Sequence, residues 1–409
     1  MAKSEMDREI FFGDIHPDFQ DVVRSLRRVL PKRGQGGAAV CVYHRGECVA
    51  DIWAGTLDEN GAPWQAETLA LSWSTTKGVL STLLHLWVDR GYADYDDPVA
   101  RYWPAFAQQG KGALTLREIL CHEAGLHRIG DMIEHAEEML DWDRMIEVLE
   151  KQAPAVSEDR APAYHGLTFG WLVGELVERI GGSDLRTQIQ TELAQPLGLD
   201  GLYMGMPEEE QKRCARVIEK VDESSTCTLG RTAKRRQVLR DALGLTRGHA
   251  CSEEVERALL PHGFESLDWN SFSSAETAIP ALGGFFNARS LAKLYSALST
   301  GRDRDDSQLL SGRTLKRASR IQNDSPGRVI PVSMQWRLGY HRVAVVGADA
   351  PEAFGHFGLG GSGAWVDPER ELAVALVLNS GMGTPFGDTR IVRVSSAAIQ
   401  SADRRAVAA

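Results

Sequence analysis

The sequence lacks any apolar run long enough to cross a bilayer as a helix. Residues 1–9 are charged and have no apolar core, so they do not resemble a secretory signal. Positive charge is scarce too, since 46 Lys and Arg stand against 56 Asp and Glu, a formal net charge of −10. Nucleic acids and anionic membranes bind concentrated basic charge, and the dense basic cluster Arg231–Arg240 is typical of a solvated helix face. We therefore expect a cytoplasmic protein that binds neither nucleic acid nor membrane.

The cysteines and histidines lack the spacing of a metal site. None of the six cysteines forms a Cys-x-x-Cys pair. Cys41 and Cys48 flank a predicted hairpin turn and could face each other, but in a cytoplasmic protein we interpret them as reduced, apolar thiols. His122 and His127 are five residues apart with Gly125 between them, so they do not share the helix face that a zinc protease needs. The sequence predicts no metal site.

A glycine-rich run near the C-terminal end matches a cofactor motif only in its spacing. Gly358–Gly363 has the glycines of a dinucleotide-binding loop. Such a loop must follow a strand and open a helix, whereas Ala364–Val366 is typical of a strand. Glycine at the entry to a strand better fits close approach of the backbone to a ligand. We therefore predict no cofactor.

Strand and helix patterns divide the chain into two parts. Residues 37–43 and 48–54 are rich in strand-forming side chains around a turn, which predicts a hairpin. Apolar spacing predicts helices through the middle of the chain, and strands return before a closing helix. We expect an α/β (α+β) fold in which residues 1–75 and 276–409 form a discontinuous antiparallel-sheet domain, and residues 76–275 form a helical domain with a cap-like insert at about 205–265. The predicted helices are 74–90, 115–121, 142–151, 169–180, 283–300 and 390–400, and the later strands are 342–346, 362–367 and 372–378.

The segment Ser74–Lys77 lies where a helix is predicted to begin. Residues i and i+3 lie on one side of a helix, so the Lys77 amine can reach the Ser74 hydroxyl. A serine hydroxyl becomes a good nucleophile when a base takes its proton, and a lysine can serve if burial lowers its pKa. Alone, the pattern also fits an N-cap serine followed by a surface lysine. The apolar residues on both sides favour a lysine that points into the protein.

A second segment, Tyr164–Gly166, precedes another predicted helix. A tyrosine at such a position is often a packed aromatic residue whose hydroxyl bonds locally. If it lies near Ser74 and Lys77, its phenol or phenolate can relay the proton of the nucleophile. The residues themselves leave both interpretations open.

Three segments taken together resemble a known superfamily. Ser74–Lys77, Tyr164–Gly166 and His356–Gly358 have the order and approximate spacing seen in serine β-lactamases and penicillin-binding-protein-like enzymes. Within that superfamily, the chain is most similar to the class C-like branch of family VIII carboxylesterases. The similarity runs from about residue 12 to residue 400 and is weakest over 205–275. Further matching segments are Trp73–Val79, Asp97–Pro104, Leu120–Leu126, Phe169–Glu175, Gly283–Phe286 and Asp367–Glu369.

The resemblance implies a β-lactamase-like fold, with an antiparallel sheet flanked by N- and C-terminal helices and an inserted helical domain. It also implies a catalytic role for each matching residue. Ser74 would be the nucleophile, and Lys77 and Tyr164 would take its proton and return it to the leaving group. The backbone N–H groups of Ser74 and Leu359 would bind the oxyanion.

Around that centre the resemblance implies three substrate-binding positions, His356, Gly358 and His165. Two residues depart from the β-lactamase pattern, since Gly166 stands in place of an asparagine and His356 in place of a lysine. An imidazole with a pKa of about 6.5 is largely neutral at pH 7, so a carboxylate-bearing β-lactam would lose a charge-assisted bond of about 1.5–3 kcal/mol. With Gly358 leaving room beside the strand, the expected preference moves toward uncharged esters.

The sequence therefore predicts a serine hydrolase that cleaves short-chain or small carboxylic esters through an acyl-serine intermediate. β-Lactamase, D-amino peptidase and acyltransferase activities share the first half of that reaction and stay open as alternatives, as does a non-catalytic protein that kept the fold. The expected partner is a small-molecule ester, and the chain could form a homo-oligomer.

Overall fold

Strands from both ends of the chain lie side by side in one sheet. The computed structural model describes residues 11–30, 36–155, 161–218, 252–271, 279–300, 309–380 and 389–408. Its strands are β1 (Phe12–Ile15), β2 (Gly37–His44), β3 (Glu47–Gly55), β4 (Ala70–Leu71), β5 (Leu202–Met204), β6 (Gly284–Phe286), β7 (His341–Arg342), β8 (Phe354–Phe357), β9 (Gly363–Asp367) and β10 (Leu372–Leu378). A seven-stranded antiparallel sheet has the order β1-β3-β2-β10-β9-β8-β7, and a small sheet has the order β4-β6-β5.

The helices cover both faces of the large sheet. They are α1 (Gln20–Val29), α2 (Thr75–Asp89), α3 (Leu116–Leu120), α4 (Trp142–Lys151), α5 (Phe169–Gly181), α6 (Leu185–Gln188), α7 (Gln195–Leu197), α8 (Glu208–Gln211), α9 (Ser252–Leu259), α10 (Ala288–Thr300), α11 (Gly312–Ser319) and α12 (Thr389–Ala408). Helices α1 and α12 pack together on one face, and α10 packs on the other. Helix α2 contacts both α5 and strand β8, so it lies between the helical part and the sheet.

Strand β10 runs through the centre of the large sheet and is buried along its whole length. Leu372, Val374 and Leu376 pack toward α1 and α12. Ala373 and Ala375 pack toward α10 and the helical part of the molecule. A strand that is buried on both faces needs a continuous apolar run, which explains why this segment does not alternate with polar residues.

Several predicted elements are confirmed. The hairpin forms as β2 and β3, and it brings the sulfur of Cys41 to 3.8 Å from that of Cys48. Helices α2, α4 and α5, the strands β9 and β10 and the closing helix α12 agree with their predicted positions to within a few residues, except that α12 continues eight residues further. Helix α3 begins with a capping box, in which Thr115 accepts from the N–H of Glu118 and the Glu118 carboxylate accepts from the N–H of Thr115.

Two predicted boundaries are wrong. The helix predicted from residue 283 begins at Ala288, because Gly284–Phe286 forms strand β6 between β4 and β5. The strand predicted over 342–346 is only His341–Arg342, and it pairs with β8, a strand that the sequence pattern did not indicate. Both errors concern strands of two to four residues, which depend on partners far along the chain rather than on local pattern.

The predicted division into two domains stays a prediction. Its first boundary, after residue 75, falls at the start of α2. Its second boundary, after residue 275, lies outside the described residues, as do the basic cluster Arg231–Arg240 and the central part of the predicted insert, residues 219–251. The described ends of that insert contain α8 and α9. In the ranges that the structure covers, no helix is both long enough and apolar enough to span a membrane.

Candidate active site

Helix α2 begins directly after Ser74, so this serine is held at a helix N-terminus. Trp73, the residue before it, has a φ of 51°, in the left-handed region that is costly for a side chain other than glycine. The N–H and the hydroxyl of Thr76 both donate to the carbonyl oxygen of Trp73, at 3.0 and 2.6 Å. This turn leaves Ser74 partly exposed at the end of an otherwise buried helix.

Lys77 points into the protein, as the sequence favoured. Its amine lies 2.9 Å from the hydroxyl oxygen of Ser74 and donates to the carbonyl oxygen of Ala281 at 3.0 Å. The side chain is 0% exposed, and burial lowers the pKa of the amine well below its ordinary value. A neutral amine keeps a lone pair that can accept the Ser74 proton while an N–H still donates to Ala281. The surroundings therefore suit Lys77 to the role of a base.

Tyr164 completes the predicted group. The Lys77 nitrogen lies 5.3 Å from the centre of its ring, and both Tyr164 and Ser74 line the same cavity. Burial raises the pKa of the phenol, and the nearby Ser74 side chain offsets only part of that rise. Trp336 stacks on the ring at 5.8 Å, and His122 meets it edge-on at 4.9 Å. The phenol is therefore protonated at neutral pH and is held where it can donate a proton next to Ser74.

The glycine-rich turn brings Leu359 to the same place. The N–H of Gly358 donates to the carbonyl oxygen of Ser362 at 2.8 Å, and the N–H of Gly361 donates to the carbonyl oxygen of Gly358 at 3.1 Å. Leu359, at the tip of this turn, lines one cavity with Ser74. Within the described residues, neither the N–H of Ser74 nor that of Leu359 donates to a protein acceptor. Two such donors beside a nucleophile are the components of an oxyanion hole, and this role stays a prediction.

The structure shows a packing reason for glycine at position 358, in addition to the substrate room that the resemblance implied. A Cβ atom there would lie 2.5 Å from the carbonyl oxygen of Ser72, 2.5 Å from the hydroxyl of Ser362 and 3.0 Å from Cβ of Trp73. The space on the Cβ side of Gly358 is thus filled by protein atoms, and the predicted contact of this residue with a substrate stays a prediction. The glycine lets the turn pack directly against the chain that leads to Ser74.

His356 lies behind the site rather than in its wall. It is 2% exposed, and its Nδ1 donates to the carbonyl oxygen of Phe357 at 3.1 Å. Burial, with smaller effects of His341 and Lys77, lowers the pKa of His356 well below its ordinary value. The imidazole is therefore neutral at pH 7, as the sequence analysis expected. It does not line the cavity at Ser74, so its direct contact with a substrate stays a prediction.

His165 also lies in the interior. Its side chain is fully buried, and its Nε2 accepts from the N–H of Leu126 at 2.9 Å. The backbone N–H of His165 donates to Nδ1 of His122 at 3.1 Å. Burial lowers the pKa of His165 well below its ordinary value, so the ring is neutral. These contacts make His165 a support for the Tyr164 loop, and its predicted contact with substrate is not seen in the cavity lining.

The cavity at Ser74 has a volume of about 50 Å³ and is lined mainly by apolar side chains. Such a site accommodates a small uncharged group better than a charged one, because burying an unpaired charge is costly. Its lining residues are Trp73, Ser74, Tyr164, Gly166, Leu167, Leu259, Leu260, Phe264, Leu282 and Leu359. The described residues contain no group of three or more His, Cys, Asp or Glu side chains arranged to hold a metal ion.

Sequence reasoning missed residues that reach the site from far along the chain. Trp336 packs on Tyr164, Ala281 accepts from Lys77, and Leu259 lines the cavity. None of these stands in a motif of its own, so no local signal pointed to them. The structure thus brings together all three predicted catalytic side chains and Leu359, and it adds supports that only the fold reveals.

Comparison with known proteins agrees with this geometry. A beta-lactamase family model matches residues 19–399. The esterase/beta-lactamase LipL of Mycobacterium tuberculosis is 36% identical over 375 residues, which cover 90% of this chain and 82% of that protein. A penicillin-binding protein homolog from Caulobacter crescentus has a TM-score of 0.80 at 30% identity, and a family VIII carboxylesterase has a TM-score of 0.81 at 28% identity. Both matches cover 96% of this chain and 100% of the other chain. The chain therefore belongs to the beta-lactamase family, and its site has the arrangement of a serine hydrolase.

Proposed function

We propose that this protein is a serine carboxylesterase that hydrolyses small, uncharged carboxylic esters through an acyl-serine intermediate. The observation that carries the proposal is the 2.9 Å distance between the Lys77 amine and the Ser74 hydroxyl, where burial lowers the pKa of the amine. A nucleophilic serine needs a base within hydrogen-bond reach that is unprotonated at the working pH. Lys77 meets the first condition through its distance to Ser74, and its lowered pKa favours the second.

In acylation, Lys77 takes the hydroxyl proton as Ser74 Oγ forms a bond to the carbonyl carbon of the ester. The N–H groups of Ser74 and Leu359 would bind the resulting oxyanion, which is the step where preorganised donors matter most. The bond to the alcohol oxygen then breaks, and that oxygen takes a proton from the Tyr164 phenol. Tyr164 recovers its proton from the Lys77 ammonium, which leaves an acyl-serine and free alcohol.

Deacylation repeats the same steps with water. A water molecule gives up a proton to Lys77 as its oxygen attacks the acyl carbon, and the Lys77 ammonium passes that proton through the Tyr164 phenol. Collapse of the second tetrahedral intermediate breaks the bond to Ser74 Oγ, which takes a proton back, and a carboxylic acid leaves. The reaction as proposed uses no cofactor, and its only partners are a small-molecule ester and water.

The walls of the site support an uncharged substrate. Among the residues that the structure describes, the cavity is lined mainly by apolar side chains and by no lysine or arginine. His356 is buried and neutral, so it supplies no positive charge for a substrate carboxylate. A charge-assisted hydrogen bond is worth about 1.5–3 kcal/mol, which amounts to about one to two orders of magnitude in binding.

β-Lactam hydrolysis is the second candidate, because a relative with 36% identity carries the name esterase/beta-lactamase. An ester and a β-lactam share the acylation step, so the Ser74, Lys77 and Tyr164 geometry fits both. The neutral imidazole of His356 favours the ester. D-Amino peptidase and acyltransferase activities would use the same acyl-serine with a different acceptor or leaving group.

A substrate panel tests the proposal. Wild-type protein is assayed with p-nitrophenyl acetate and butyrate, with nitrocefin, and with an acyl thioester in the presence of an alcohol acceptor. We expect the highest kcat/KM for a short ester and loss of every activity in Ser74→Ala, whose melting curve should match the wild type. Higher kcat/KM for nitrocefin than for any ester would contradict the substrate assignment. Turnover that survives in Ser74→Ala would contradict the nucleophile.

A further inference from the structure

One wall of the Ser74 cavity comes from a distant segment of the chain. Leu259, the last residue of α9, lines the cavity together with Leu260 and Phe264. These three side chains are 8%, 5% and 3% exposed, so they form a closed apolar surface. An apolar surface of this kind favours the binding of apolar ligand groups, because a polar group buried against it would lose its hydrogen bonds to water.

Leu259 occupies the space next to Gly166. A Cβ atom at Gly166 would lie 1.9 Å from Cδ2 of Leu259 and 3.4 Å from Cε1 of Tyr164. Because the first distance is far below van der Waals contact, a side chain at 166 and the leucine at 259 compete for one volume. That volume adjoins Tyr164, which lines the same cavity as Ser74. A change of side-chain size at either position therefore changes the room available beside the nucleophile.

Helix α9 is fixed in place by polar contacts on its other side. The Glu254 carboxylate accepts from Nε2 of His127 at 2.5 Å and from Nε of Arg128 at 2.9 Å. Arg257 lies 3.5 Å from the Asp131 carboxylate. These bonds tie α9 to residues 127–131, so Leu259 is a positioned wall and not a loosely held side chain.

The cavity suits the acyl part of an ester better than the alcohol part. The acyl group stays attached to Ser74 between the two half-reactions, whereas the alcohol must leave before water attacks. A narrow cavity of about 50 Å³ against the serine fits the group that is retained. In a hydrophobic pocket, one extra methylene changes kcat/KM by about 10–200-fold, so a single wall residue can set a length limit.

We propose that Leu259 is the specificity-determining residue that limits acyl-chain length, and that Gly166 is glycine so that this leucine can reach the cavity. The proposal rests on the ester hydrolysis proposed above. It assigns no part in the chemical step to Leu259, which acts only by occupying volume next to the acyl carbon.

The test compares Leu259→Ala with Val255→Ala. Val255 lies on the same helix and is 4% exposed, but it does not line the cavity, so it controls for loss of buried volume in α9. The substrates are p-nitrophenyl acetate, butyrate and octanoate, and a parallel series of acetates with alcohols of increasing length. In Leu259→Ala we expect the octanoate-to-butyrate ratio of kcat/KM to rise about tenfold, with a change of less than about twofold in Val255→Ala. The alcohol series should be unchanged in both.

Gly166→Ala gives an independent readout if Leu259→Ala fails to fold. The added methyl group pushes on Leu259, so we expect the butyrate-to-acetate ratio to fall, and the double variant with Leu259→Ala to recover it. The inference is overturned if the wild type hydrolyses esters while neither variant changes chain-length preference, or if the alcohol series changes instead. A wild-type protein that cleaves no ester would overturn the proposed function and this inference together.

Discussion

The Lys77 amine lies 2.9 Å from the Ser74 hydroxyl and 3.0 Å from the carbonyl oxygen of Ala281, with its side chain fully buried. Burial lowers the pKa of this amine well below its ordinary value. The carbonyl of Ala281 holds the nitrogen in position without favouring the charged form as strongly as a carboxylate would. These surroundings thus suit Lys77 to its proposed role as the base before any substrate binds.

Replacement of Lys77 with arginine should lower kcat/KM by about 10²–10⁴-fold, because a guanidinium stays protonated and cannot act as the base.

The pH dependence of the wild-type activity tests the same role of Lys77. The proposed mechanism needs Lys77 unprotonated, and the pKa of its amine is lowered, so activity should be present above that pKa and lost as the pH falls through it. The measurement is kcat/KM against pH, and a midpoint near the ordinary lysine pKa would contradict this assignment.

Tyr164→Phe should lower kcat by about two to four orders of magnitude while KM changes little, because the variant keeps the ring and loses only the proton donor. The raised pKa of this phenol also predicts that no phenolate forms near neutral pH. Ultraviolet difference spectra of the wild type and Tyr164→Phe between pH 6 and 9 test that statement. A loss of activity below about tenfold would reduce Tyr164 to a packing role.

His165→Ala should destabilise the protein rather than change substrate binding. The N–H of Leu126 would lose its acceptor in a buried site, which costs about 1–3 kcal/mol in the free energy of unfolding. We expect a lower melting temperature with KM for p-nitrophenyl butyrate within about twofold of the wild type. His262→Ala, at an exposed position, serves as the control. A large rise in KM without loss of stability would instead support the substrate contact that the resemblance implied.

The sequence predicted the proximity of Ser74, Lys77 and Tyr164 better than it predicted the residues around them. Ser74 and Lys77 are close because helical spacing brings i and i+3 together, which is a local rule, and Tyr164 was reached through a motif that the family shares. The leucine at 259 carries no such signal, because its place beside Gly166 depends on how two remote segments pack. The structure also places His165 in a way that the sequence did not indicate. The resemblance implied a substrate contact, which stays a prediction, whereas the structure shows its imidazole buried and accepting from the N–H of Leu126.

Glu254→Gln should loosen α9. Burial raises the pKa of the Glu254 carboxyl, but hydrogen bonds from Arg128 and His127 outweigh it and leave the pKa lowered. A carboxylate with a lowered pKa stabilises the fold above its unfolded-state pKa and loses that contribution as the pH falls through the folded-state value.

We therefore expect Glu254→Gln to lower the free energy of unfolding by about 1 kcal/mol at pH 7, which a lower melting temperature would show. The variant and the wild type should differ less in stability once acid protonates the Glu254 carboxylate, below about pH 4. Glu253→Gln, whose side chain is 79% exposed, is the control and should behave like the wild type. A difference that grows toward acid pH would contradict the assignment.

The most direct test of the central claim is the mass of the protein during turnover. The wild type is mixed with an excess of p-nitrophenyl butyrate, quenched in acid within the first turnovers, and measured intact before peptide mapping. We predict a single added butyryl group on the peptide that contains Ser74, and no adduct in Ser74→Ala. The fraction of protein that carries the adduct should rise when deacylation is slowed. An adduct on any other residue, or ester turnover with no covalent intermediate under conditions that trap one, would contradict the account.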